Sequence, residues 1–180
     1  MKSLQGQLLV ASAHLADPNF ARSVVLLVQH DENGAMGLVL NRSLEMSVGD
    51  ALSQSMDESY DGDETLHQGG PCEGPLMVLH THEPVAQIKV IDGVCFSAER
   101  DSIAWLLKNN RGPIQFFAGY SGWAAGQLES ELAAGGWSLA VATPRDAFGG
   151  DDDQWTAINA RIALGRPISR RIIPNDPQSN

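Results

Sequence analysis

Apolar and polar positions along this chain fall into short blocks, and most of the blocks have the character of strands. Leu8-Leu9-Val10-Ala11 reads as a first short strand, broken by Asp17-Pro18-Asn19 because proline restricts both itself and its predecessor. Ser23 to His30 is rich in β-branched residues with almost no polar alternation, the composition of a strand buried on both faces. Asp31-Glu32-Asn33-Gly34 is a hairpin signal, and Gly37 to Asn41 is the return strand. Farther on, Leu76 to His80 reads as a strand. Ile88 to Ile91 and Val94 to Phe96 form a second hairpin across Asp92-Gly93.

Helical periodicity enters late. Ser47, with Asp50 three positions on, predicts a short capped helix. Ser97 predicts the cap of a longer one, with Glu99 and Asp101 in its first turn. Its core face is Ile103, Leu106 and Leu107, and Arg111-Gly112-Pro113 ends it. The focal stretch comes next. Ile114 to Ala118 has the composition of a buried strand, and Gly119-Tyr120-Ser121-Gly122-Trp123 reads as a turn. A helix then carries its apolar stripe on Ala125, Leu128 and Leu132, with its start at Trp123 and its stop at Gly135-Gly136. Ser138 to Ala142 is a strand, and Trp155, Ile158 and Ile162 face a last helix closed by Gly165 and Pro167. Several strands precede the first long helix, without regular alternation. The pattern predicts α+β with a largely antiparallel sheet. Residues 1–174 read as one domain and residues 175–180 as a tail.

Composition narrows the function. The chain has 180 residues, 43% hydrophobic and 19% charged, which suits a single domain with a sizeable core. A net charge of −10 disfavours direct nucleic-acid binding, which rests on Lys/Arg neutralisation of phosphates. Arg161, Arg166, Arg170 and Arg171 are the only basic cluster, and read as residues in and after the last helix. Asp57 to Glu64 reads as a solvated acidic loop. Cys72 and Cys95 come without a secretory signal, and no run has the length of a membrane helix. The expectation is a cytoplasmic protein with reduced thiols and no membrane contact.

No catalytic constellation emerges. Gly119-Tyr120-Ser121-Gly122-Trp123 lacks the final glycine of a nucleophile elbow, because Trp123 stands there. His80 and His82 share a strand face, as metal ligands do, but Pro84 ends the strand and no third ligand has recognisable spacing. No metal and no cofactor is assigned. Neither glycine segment is a phosphate loop. Gly69-Gly70-Pro71 and Gly119 to Trp123 are instead expected to form two lips of one cleft, beside Asn41-Arg42 at the end of a strand. Tyr120 and Trp123 would supply apolar contact, Arg42 a charge, and the helix start at Trp123 outward N–H groups.

An ordered set of segments is similar to the YqgE/AlgH family of bacterial proteins. It comprises Gly6 to Ala11, Asp17 to Phe20, Ser23 to Leu27 with His30, and Gly34 to Arg42. Downstream come Gly69-Gly70-Pro71, Gly119 to Trp123, Gly126-Gln127-Leu128-Glu129 and Trp137. Ser121 stands where the family more often has alanine, and Ser43 where proline commonly follows Asn-Arg. The resemblance implies a bifurcated, largely antiparallel sheet curled into a pseudo-barrel with flanking helices. It carries over no catalytic residues, and one branch of the family is linked to regulation of alginate synthesis. The expectation is therefore a non-enzymatic binding or regulatory protein. Its protein partner or small ligand would be held by Asn41, Arg42, Gly69, Gly70, Pro71, Gly119, Tyr120, Gly122, Trp123 and Gln127. The alternative is an enzyme of unassigned class in the same cleft, using Arg42, His30 or His67.

Overall fold

The computed structural model describes residues 2–55, 60, 62, 64–149 and 153–165. The expected acidic loop lies mostly outside these, as do Pro167, residues 166–180 and Asp151-Asp152. In chain order the elements begin with β1 (Gln7–Ala11), β2 (Val24–Asp31), β3 (Gly34–Val39) and β4 (Ser43–Ser47), then α1 (Val48–Ser55). Strands β5 (Thr65–Gln68) and β6 (Met77–His80) follow, then a 3-10 turn at Glu83–Val85, β7 (Ile88–Ile91), β8 (Val94–Ser97) and α2 (Arg100–Asn109). The last part is β9 (Ile114–Ala118), β10 (Ser121–Ala124), α3 (Gln127–Ala133), β11 (Trp137–Val141), α4 (Pro144–Phe148) and α5 (Gln154–Gly165).

The strands form two sheets, ordered β10-β3-β2-β1-β11 and β4-β5-β9-β6-β8-β7. Every pairing is antiparallel except β5 with β9. The class is α+β, and the described strands close no complete barrel. Strand alternation sorts the core into three layers. Leu8, Val10, Val24 and Leu26 face Met77, Leu79 and Phe117 between the sheets. Leu9, Ala11, Val25 and Leu27 face the other way, towards Trp123, Leu128 and Trp137. On the far face of the second sheet, Val78 and Phe116 meet Val48 and Leu52 of α1 and Ile103 and Leu106 of α2. Strand β2 is thus apolar on both faces, as its unbroken hydrophobic run predicts.

Three details correct the expectations, and one agrees with them. Trp123 does not start a helix: it lies inside β10, paired with Ala35 of β3, and α3 begins only at Gln127. Ala125 accordingly falls outside α3. Ser97 does not cap α2, whose cap is Glu99; it ends β8 with its side chain buried. The first hairpin forms, but its return strand starts at Gly34, where an added Cβ would stand 2.2 Å from the Trp123 carbonyl oxygen. Ser47 does cap α1, since its Oγ accepts the Asp50 N–H at 3.1 Å and donates to the Asp50 carboxylate at 2.8 Å.

Candidate functional site

The two glycine segments meet, and they meet backbone on backbone. Gly69 N–H donates to the Ala118 carbonyl at 2.9 Å, while Cys72 and Tyr120 exchange N–H···O bonds of 2.9 and 3.0 Å. The Gly69 carbonyl accepts from Val39 N–H at 2.8 Å and from Ser121 Oγ at 3.1 Å. Three chain segments are therefore stitched together where the first sheet passes into the second. Glycine is required by this approach: a Cβ on Gly70, whose φ is +156°, would lie 2.3 Å from the Tyr120 carbonyl. The segments form a closed seam, with no gap between two lips.

The neighbours expected to dress a cleft are committed elsewhere. Asn41 extends the ladder with its side chain, accepting from Val24 N–H at 2.9 Å and donating to the Arg22 carbonyl at 2.9 Å. The Arg42 guanidinium donates to the carbonyls of Asn19, Pro18 and Ala21, so it clamps the loop before β2. Trp123 is 6% exposed and points away from the seam. Its ring lies 6.0 Å from Phe20 and 6.1 Å from Trp137. The two indole N–H groups donate to one oxygen of Glu131, at 2.9 and 2.8 Å. Gln127 donates to the other Glu131 oxygen at 2.9 Å and accepts from Ala124 N–H at 3.0 Å. Since β10 and β11 are the two edges of the five-stranded sheet, this carboxylate ties both edges of a strongly curled sheet.

Tyr120 is the exception. Its half-buried ring lies between Gly74 and Gly122, both exposed, with Cys72 Sγ beside Gly122. A Cβ on Gly74 would sit 3.1 Å from one edge of the ring, and one on Gly122 3.3 Å from the other. Pro71 is exposed next to it. Of the expected site residues, Gly70, Pro71, Gly119, Tyr120 and Gly122 share this face.

The histidines and serines are paired in non-catalytic senses. Ser121 Oγ donates to a carbonyl. His80 Nδ1 accepts His82 N–H at 3.1 Å, so Nε2 carries the proton and donates to Ser97 Oγ at 3.0 Å. Ser97 donates in turn to the Val85 carbonyl at 2.8 Å. The histidine thus donates a hydrogen bond to the serine instead of accepting its proton, the reverse of a general base. Burial, helped by nearby His82, pulls the His80 pKa down to about 4. The His82 ring packs 4.7 Å from Trp105. Among the described residues no group of three or more His, Cys, Asp or Glu is placed to hold a metal. His30 accepts Leu4 N–H on Nδ1 and donates from Nε2 to Glu129 at 2.9 Å. The Glu129 carboxyl is lowered, first by its own backbone N–H and then by His30.

Sequence reasoning missed Gly74 and Cys72 as neighbours of Tyr120, and Glu131 as the partner of both tryptophans. Glu131 had only one local signal, its i+4 spacing from Gln127.

This geometry belongs to a known group. A profile described as AlgH-like matches residues 8–165. The chain belongs to the AlgH-like family. A UPF0301 protein of Chlorobaculum tepidum is 40% identical over 179 residues, covering 96% of this chain and 92% of that protein. A UPF0301 protein of Myxococcus xanthus is also 40% identical, over 83% of this chain and 84% of its own length. The solution structure of the AlgH protein from Pseudomonas aeruginosa superposes with a TM-score of 0.77 at 31% identity, covering 93% of this chain and 92% of that one. The α+β fold, with its two mostly antiparallel sheets, is thus shared with that AlgH structure.

Proposed function

We propose that this AlgH-like protein is a non-enzymatic binding protein, and that its partner is an extended protein segment seated on the Tyr120 face. The observation that carries the reading is the half-exposed Tyr120 ring, one side packed on the core between the sheets and its edges flanked by Gly74 and Gly122. It lies next to β10, which among the described strands is an edge paired with β3. The Tyr120 backbone is bonded to Cys72 and the Ala124 N–H to Gln127, so the segment would meet this edge at Gly122, with the aromatic ring giving apolar contact. Pro71, Gly122 and Gln127 would border that segment, and the seam at Gly69, Gly70 and Gly119 would hold the ring in place. The net charge of −10 favours a protein over nucleic acid, so any regulatory role would run through a partner rather than through DNA.

The test is native mass spectrometry of the protein gently purified from its own host, beside the variant Tyr120→Ala. A bound polypeptide mass that Tyr120→Ala loses supports the reading; a small-molecule mass, or one that the variant keeps, overturns it.

A further inference from the structure

The residues before β1 form a strap across the end of β2, and one histidine holds it. Ser3 Oγ donates to the His30 carbonyl at 2.8 Å, and Leu4 N–H donates to His30 Nδ1 at 2.9 Å. Gln5 Nε2 donates to the Lys89 carbonyl on β7 at 3.2 Å, so the strap also reaches the second sheet. Its pivot is Gly6, whose N–H donates to the Leu27 carbonyl at 2.8 Å. Gly6 has φ +76°, and a Cβ there would stand 2.6 Å from Ile91 Cγ2. The pivot is fixed by backbone between the two sheets, whereas the residues ahead of it depend on a side chain.

That side chain can hold the strap in only one protonation state. The His30 ring is buried, 4% exposed, and both its nitrogens are engaged. Because Nδ1 accepts, the proton sits on Nε2, which donates to Glu129 Oε1 at 2.9 Å. An imidazolium carries N–H on both nitrogens and has no acceptor. Its Nδ1–H would face Leu4 N–H, donor against donor, at a separation that suits a hydrogen bond. The contact with Glu129 survives the same change and becomes an ion pair. The charged groups around the ring are Glu129 on α3, Asp31 and Glu32 on the β2–β3 hairpin, and exposed Lys2 on the strap. On β3 the residue opposite His30 is Ala35, which adds no charge. The imidazolium thus has carboxylate partners and is not an isolated buried charge. The ring stays with Glu129, and the strap is the part that moves.

We infer that His30 makes residues 2–5 a pH-sensitive strap, closed on the neutral imidazole and released when the ring gains its second proton. Leu4 packs on the outer apolar layer of the first sheet, with Leu27, Trp123 and Leu128. Release bares part of that layer, on the sheet face opposite the Tyr120 ring. It also removes the Ser3 wall of a cavity of about 400 Å³ beside His30, Asp31, Glu32 and Asn33.

Amide exchange read by NMR on the full chain, from about pH 8 to about pH 5, tests this, with the His30 ring signals recorded in the same samples. Corrected for the intrinsic effect of pH, protection of the Leu4 amide should fall at least about tenfold in step with His30 protonation. The Gly6 amide, bonded to Leu27, should keep its protection. In His30→Asn the side-chain oxygen stands near the place of Nδ1 and accepts at every pH, so Leu4 protection should stay flat. Should that variant not fold, the wild-type comparison of Leu4 with Gly6 decides alone. Leu4 protection that ignores His30 protonation would overturn the inference. So would a loss shared by Gly6 and the core of β2, which reports unfolding of the whole sheet, or a loss that persists in His30→Asn.

Discussion

The two edges of the five-stranded sheet are built from opposite materials. At β10 the residues facing solvent are Gly122 and Ala124, and the neighbouring contacts are backbone on backbone. At β11 they are large and apolar, beside a groove. The first edge leaves Gly122 and one side of an aromatic ring exposed, with little apolar area to hide; the second leaves apolar area that water disfavours. An edge can therefore stay available to a partner only where it is poor in apolar side chains. Glu131 joins the two through Trp123 and Trp137, so neither edge is independent of the other.

The largest expected effect breaks the comparison at its seam. Gly70→Ala places a Cβ 2.3 Å from the Tyr120 carbonyl and 2.4 Å from Ser121 Oγ. It should cost more than about 4 kcal/mol in urea unfolding, an exceptional value for one methyl group. Gly126→Ala, with φ +76° but nothing within 4 Å, should cost only about 1–2 kcal/mol, the left-handed penalty alone. Equal losses would mean that close approach is not what the seam requires.

Acid should act in the other sheet through His80. Unfolded, His80 takes a proton near its ordinary value of 6.5; folded, only near 4. Between these values the unfolded chain binds more protons, so this contribution is fully present above pH 6.5 and is lost as pH falls towards 4. The loss is at most about 3 kcal/mol. An NMR titration of the His80 ring should show its transition near pH 4, and one near 6.5 would contradict the buried Nε2–H···Ser97 arrangement.

Glu131→Ala removes the acceptor of both indoles. A loss of about 2 kcal/mol is expected, since two buried donors lose their partner while water reaches part of the site. Tryptophan fluorescence should shift to the red in the same variant. A loss confined to the fluorescence would mean that the carboxylate orients the rings without holding the edges.

The sequence made the core strands legible because burial on both faces leaves a continuous apolar run, as in β2 and β9. Strand β4, Ser43–Ser47, is short and mostly exposed, so no hydrophobic pattern marks it. Strand β10 was mistaken for a turn and helix start because Ser121-Gly122-Trp123-Ala124 is dominated by small residues. Its strand state comes from pairing with β3, a tertiary effect. Helix α4 carried a readable signal, Thr143-Pro144-Arg145-Asp146, which forms a reciprocal capping box. Ser97 offered a plausible cap, yet its hydroxyl is drawn inward by His80 and Val85. The two glycine segments, expected to line a cleft, meet backbone on backbone. Their spacing reveals a need for close approach but not whether backbone or a ligand makes it.

On the proposed reading Tyr120 binds the partner while the glycines beneath it hold shape. Native mass spectrometry of wild-type protein and Tyr120→Ala, each paired with a urea unfolding curve, tests it most directly. The account predicts a bound polypeptide on the wild type only, with the two unfolding free energies within about 1 kcal/mol, as for a partly exposed ring. A variant that keeps the bound mass, or that loses several kcal/mol of stability, would show that Tyr120 is a core residue and contradict the claim.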